Sequence, residues 1–155
     1  MKTPSIRRLL ESLSQISYRT FLIVVSLVVT SSFSYAGDLK VMAHESVSIS
    51  QLNRSELRQI FTGQRQYWDD GTKITVFVLQ DRDELHKQFC RDILQMFPYQ
   101  LSRLWDQITY SGQGVTPVRV ISYQALIDAL ENTPGAIGYV ERTDIVKLRR
   151  VEVNL

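Results

Sequence analysis

Lys73-Ile-Thr-Val-Phe-Val-Leu79 is the stretch that decides how this chain of 155 residues folds. The run is apolar, partly β-branched and short, which suits a strand buried on both faces. Downstream the period changes. Asp81 begins a helical pattern, with Glu84 three positions later. Leu85, Phe89, Ile93 and Met96, with Cys90 and Phe97, recur at helical spacing until Pro98 ends the pattern. Leu101, Leu104, Trp105 and Ile108 predict a third helix. Ser111-Gly-Gln-Gly114 reads as a loop, and Val118, Val120 and Ile121 as a brief extended piece. Ser122 can cap a fourth helix with Ala125, Leu126, Ala129 and Leu130 inward. Residues 136–140 and 146–153 predict two more strands.

Upstream, Leu39, Val41 and Ala43 alternate with Lys40, Met42 and His44, the period of a short strand. Residues 46–51 are polar and read as a connection. Asn53-Arg-Ser-Glu56 has the form of a capping box, followed by Leu57, Ile60 and Phe61 on one face and a closing Gly63. Residues 64–72 form a polar loop holding Tyr67 and Trp68, with a turn at Asp70-Gly71. Trp68 is expected to fold back over the core. Strands alternating with helices predict a layered α/β domain.

The first 36 residues read as an address. Lys2, Arg7, Arg8 and Arg19 precede a nine-residue apolar run, and Ser34-Tyr-Ala36 has the small residues of a cleavage site before Gly37. That run is about half of the ~20 residues needed to span a bilayer. A cleaved secretory signal over 1–36 is therefore expected, with one domain over 37–155. Charge changes with the cut: the whole chain is +2, whereas residues 37–155 hold 14 basic and 15 acidic side chains. No basic stripe with interleaved aromatics points to nucleic acid. Cys90 is the single cysteine, so no internal disulfide is possible. His86 stands one turn before it. The reading is a buried, inert thiol, with a functional His–Cys pair as the less favoured alternative.

Three phrases occur in a fixed order: Leu57-Arg-Gln-Ile-Phe-Thr-Gly63, Trp68-Asp-Asp-Gly71 with its following strand, and Pro134-Gly-Ala-Ile-Gly-Tyr-Val140. Together they resemble the second lobe of the periplasmic phosphate-binding proteins that feed ABC transporters. Leu52 and Phe89 extend the match, and the likeness runs from Leu39 to Val140. Trp105, Tyr110-Ser-Gly-Gln-Gly114 and Pro117 resemble the small single-domain exported relatives. The resemblance implies a single lobe of a type 2 periplasmic-binding-protein-like fold, with a central sheet flanked by helices. It also implies a periplasmic location and recognition without covalent chemistry.

Two departures bear on the ligand. Only one lobe's worth of chain is present, where the full family closes two lobes on its solute. After the strand, the family carries an Arg and then Ser-Gly-Thr at a helix start, where free N–H groups and hydroxyls hold the oxyanion. Counted without gaps, Leu79 occupies the Arg position, and Asp83, Glu84 and Leu85 occupy the Ser-Gly-Thr positions. Carboxylates repel a dianion there; a shifted gap would bring Arg82 into the site.

The candidate ligand-binding residues are therefore Asp81, Arg82 and Asp83 after the strand, and Ser111, Gly112, Gln113 and Gly114 in the glycine loop. Asp81, Asp83 and Glu84 allow a metal or cationic solute, but capping of the helix is the stronger reading. The glycine loop allows an anion cradle or a plain turn. Arg65, Lys87, Arg103 and Arg119 read as scattered solvated residues. No HExxH, CxxC or nucleophile elbow is present. No cofactor, no resident metal and no enzyme activity are expected. The expected partners are a weakly bound phosphate-like anion and a protein partner or second copy that completes the cleft. Contact with the membrane is expected only through a transporter or receptor. The alternative is an envelope interaction module that kept the fold and lost the ligand.

Overall fold

A computed structural model describes residues 39–112, 114–141 and 147–154. The leader over 1–36, Gln113 and Val146 lie outside the described residues. In chain order the elements are β1 (Lys40–His44), β2 (Gln51–Asn53), α1 (Arg54–Phe61), β3 (Thr75–Val78) and α2 (Glu84–Gln88), which continues as a π-helix (Phe89–Leu94). Then follow α3 (Pro98–Ser111), β4 (Val118–Arg119), α4 (Tyr123–Asn132), β5 (Ala136–Val140) and β6 (Leu148–Asn154). One sheet runs in the order β2-β6-β1-β5-β3-β4. Both β3 neighbours are parallel to it, whereas β1 is antiparallel to β5 and β6.

The mixed α/β class and the buried strand over 75–78 agree with the sequence, and so does the strand over 136–140. β1 differs in its burial. Val41, Met42 and Ala43 are all buried, because β5 and β6 flank the strand and both faces are covered. The segment read as a polar connection ends in β2, which pairs in parallel with β6 and buries Leu52. Residues 81–97 do not form one α-helix. The chain turns at Asp81 and Arg82, α2 starts at Glu84, and the wider π turn carries the stripe out of phase. Leu94 moves inward and Phe97 is left 60% exposed.

The last motif owes its glycines to close packing. Gly135 has φ +76, and a Cβ there would collide with the Lys73 carbonyl. A Cβ at Gly138 would stand 3.1 Å from the Leu130 methyls, because α4 lies against β5 on that side. Tyr139 then points to the opposite side, where its ring stacks on Phe89 at 4.1 Å and Phe89 meets Phe61 at 4.7 Å. Trp68 is buried as expected, and its indole Nε1 donates to the Gly135 carbonyl at 3.0 Å. Among the described residues no helix is long and apolar enough to cross a membrane.

The start of α1 is a complete capping box. The Glu56 N–H donates to Asn53 Oδ1 at 2.9 Å, and the Asn53 N–H donates to Glu56 Oε2 at 2.8 Å. Two otherwise orphaned donors are satisfied within four residues of chain. Asn53→Ala should lower unfolding stability by about 1 kcal/mol. Urea unfolding of residues 37–155 checks this: the midpoint should fall with an unchanged slope.

Candidate functional site

The strands β5, β3 and β4 lie side by side and run the same way, so their carboxyl ends share one edge of the sheet. That edge is where open α/β sheets present ligand sites. Three segments leave it: residues 79–83 after β3, 120–122 after β4, and Glu141 after β5. α2 and α4 both start there. Leu79, Leu85 and Tyr123, with Asp83, Glu84 and Glu141, line an open depression of about 460 Å³. Gln80, Asp81, Arg82 and Arg119 line a second one beside it. Leu79, Gln80, Arg82, Asp83 and Ile121 connect the two.

Both helix starts are occupied by the chain itself. Asp83 caps α2, its Oδ1 accepting the Leu85 N–H at 2.9 Å. Ser122 caps α4, its hydroxyl accepting the Ala125 N–H at 3.2 Å. Glu84 follows in the first turn, exposed, and its carboxyl is held below the usual range by the hydrogen bond and charge of Lys87 at 2.7 Å. An anion approaching α2 therefore meets a carboxylate already seated on the first free donor.

Asp81 has a different role from the one its position suggested. It stands in the turn before the helix, and its Oδ2 accepts the Ser102 hydroxyl of α3 at 2.5 Å. Its Oδ1 faces Arg119 Nε at 3.5 Å. The Arg119 guanidinium lies 5.0 Å from the Trp105 ring and donates to Ser102 Oγ at 3.3 Å. Arg119 is thus no scattered surface charge: it ties β4, α3 and the turn together. Arg82 is exposed and has no ion pair among the described residues.

Beneath the depression runs a buried polar chain. The Leu79 N–H donates to the Tyr139 hydroxyl at 2.9 Å, and that hydroxyl lies 2.7 Å from His86 Nδ1. His86 Nε2 is 3.5 Å from Cys90 Sγ. Burial holds His86 below its ordinary value against the opposing charge of Asp81. Burial, with Asp81, pushes the Cys90 thiol up to about 12. Burial also raises Tyr139. The His86–Cys90 contact exists, but as a neutral, solvent-free packing of two polar groups, the opposite of an activated thiolate.

The glycine loop is not brought to this site. Ser102 on α3 reaches Asp81, whereas Ser111 ends α3 nine residues later, about 13 Å along the axis. Gly112 is the helix cap with φ +64, and Ser111 Oγ donates to the Ile108 carbonyl at 3.2 Å. A Cβ at Gly114 would stand 3.1 Å from Ile108, so close packing sets that position. Gln113 lies outside the described residues. Sequence reasoning missed Arg119, Ser102, Tyr123, Ile121 and Glu141, which only the parallel pairing of β3, β4 and β5 gathers.

No family model matches the chain, and no curated protein matches it. Solved structures do. An ABC-type phosphate transport receptor from Vibrio cholerae aligns over 74% of this chain at TM-score 0.54 and 16% identity. A putative phosphate ABC transporter substrate-binding protein with bound phosphate from Clostridium perfringens aligns over 74% at TM-score 0.59 and 16% identity. PstS from Borrelia burgdorferi aligns over 75% at TM-score 0.55 and 18% identity. The fold is that of the phosphate-transporter substrate-binding proteins. The chain covers 45%, 44% and 47% of those three chains, less than half of each. At this identity these neighbours speak for the fold alone.

Two outcomes follow from the buried chain. Tyr139→Phe leaves the Leu79 N–H without a partner and should cost about 1–3 kcal/mol in urea unfolding. Cys90 should be silent to a thiol reagent such as DTNB in the native protein at neutral pH, and should react at one equivalent once denatured. The sign of the pH effect is also set. Unfolded His86 takes up its proton at a higher pH than folded His86, so stability should fall as pH drops below about 6.5. His86→Gln should flatten that part of the profile, measured as urea midpoints between about pH 7 and pH 5.

Proposed function

We propose that this chain is an exported binding lobe of the cell envelope, used in solute capture or sensing beside a transporter or receptor, that acts by recognition and not by covalent chemistry. The fold and the strand-end depression support the binding role. The leader pattern over 1–36 supports export to the periplasm.

The observation that carries the finer reading is the bond from the Leu85 N–H to Asp83 Oδ1 at 2.9 Å. The chain's own carboxylate occupies the donor that an oxyanion would need, and Glu84 and Glu141 add negative charge around it. A phosphate is repelled from this edge, so what the lobe recognises there is a solute or a partner surface that does not present a dianion. A second reading is favoured by one observation. Arg82 and Arg119 both line the neighbouring depression, which would hold a phosphate-like anion weakly beside Asp81.

Calorimetric titration of residues 37–155 with inorganic phosphate separates the two. No heat up to millimolar phosphate is expected. Saturable heat that Arg82→Ala abolishes would establish the second reading instead.

A further inference from the structure

The outer face of α3 carries a stripe that complements itself. Tyr99, Arg103, Asp106 and Tyr110 follow one another at spacings of 4, 3 and 4 residues. Their positions are symmetric about the midpoint between Leu104 and Trp105, and the two charges are opposite across it. At 3.6 residues per turn the four lie within about 60° of one another, along about 16 Å of the helix axis. Leu101 and Trp105 are buried on the other side of the helix.

The stripe is open to solvent and its charges are uncommitted. Tyr99 is 59% and Tyr110 91% exposed, and Arg103 and Asp106 are exposed between them. Phe97 stacks on Tyr99 at 5.7 Å and widens that end. Arg103 and Asp106 make no ion pair or hydrogen bond among the described residues, although their spacing would allow one. Comparable pairs elsewhere do close within the chain: Lys87 holds Glu84 at 2.7 Å, and Arg65 holds Asp69 at 2.6 Å.

The pattern selects its occupant. A twofold interface joins one patch to itself, so residue i meets j and j meets i. Two antiparallel α3 stripes, with the twofold at the midpoint, bring Arg103 level with Asp106 of the second copy. Tyr99 comes level with Tyr110 of the second copy. Each charge then meets its opposite, twice per dimer, and each tyrosine meets an aromatic ring. A parallel pairing would set like charges against each other. A crossing near 20° keeps two helices in contact along such a length. Tyrosine and arginine are also the side chains most favoured as interface anchors.

We propose that the outer face of α3 is a self-association surface, on which two copies of this chain pair antiparallel through Tyr99, Arg103, Asp106 and Tyr110. One helix face per copy falls below the roughly 1,000 Å² of a stable interface, so the dimer is weak and reversible. The surface shares no residue with the strand-end depressions and does not depend on what they bind.

Sedimentation velocity of the purified protein between about 10 μM and 1 mM tests this, and the mean mass should rise toward that of a dimer. Arg103→Asp places two carboxylates opposite each other twice per dimer and should weaken association about tenfold or more. Asp106→Arg should do the same with two cations. Mixing these two variants should restore association, and so should the double variant Arg103→Asp/Asp106→Arg. Tyr110→Ala should weaken it. These positions are exposed, so the urea midpoints of the variants should stay unchanged in dilute solution. A protein that remains monomeric throughout overturns the proposal. A dimer that both single charge variants leave intact overturns it too, as does a double variant that fails to restore association.

Discussion

The Tyr139 side chain joins three parts of the chain. It accepts the N–H at the end of β3, it meets His86 on α2, and its ring lies flat on Phe89 of the π-helix. All four residues are buried. The strand end, the helix start and the central strand are thereby held in one geometry by groups that water cannot replace. The surface ion pair above them is a weaker device. Asp81 and Arg119 are each 43% exposed, and such pairs contribute about 0–1 kcal/mol. Leaving a buried N–H unpaired costs about 1–3 kcal/mol. The hydroxyl therefore sets the fold of this edge, and the ion pair only orients what stands on it.

That geometry decides the chemistry of the edge. With a buried Leu79 just after β3, the following turn brings Asp81 to α3 and Asp83 to the first donor of α2. No arginine leaves the strand end at Leu79, and the helix start is filled by its own cap. The helix start that could receive an oxyanion is instead filled by the Asp83 carboxylate, with Ile121 exposed at the rim of the edge. In the proposed reading, this edge recognises a solute or partner surface that presents no dianion.

Local features were legible in the sequence because their partners are close along the chain. The Asn53–Glu56 box spans four residues, and the apolar run of β3 and the Ala136–Val140 strand need no distant information to be read. The position of the second helix was misread because 3.6-residue periodicity was assumed through a stretch that winds as a π-helix after residue 88. The site was less legible still. Arg119 sits on a strand of two residues, and nothing near it in sequence marks Asp81 and Trp105 as neighbours. Their meeting depends on β4 pairing in parallel with β3, a tertiary fact. His86 and Cys90 were visible as a one-turn pair, but the tyrosine that defines their state lies across the sheet.

Amide hydrogen exchange at Leu79 is the most direct test of the Tyr139 clamp. If the hydroxyl holds that N–H in the native state, Leu79 should exchange only through global unfolding, at the rate of the central β1 and β5 amides, and Tyr139→Phe should release it to faster exchange. Fast exchange at Leu79 in the unaltered protein, matching the exposed turn at residues 81–82, would contradict the clamp and the edge geometry built on it.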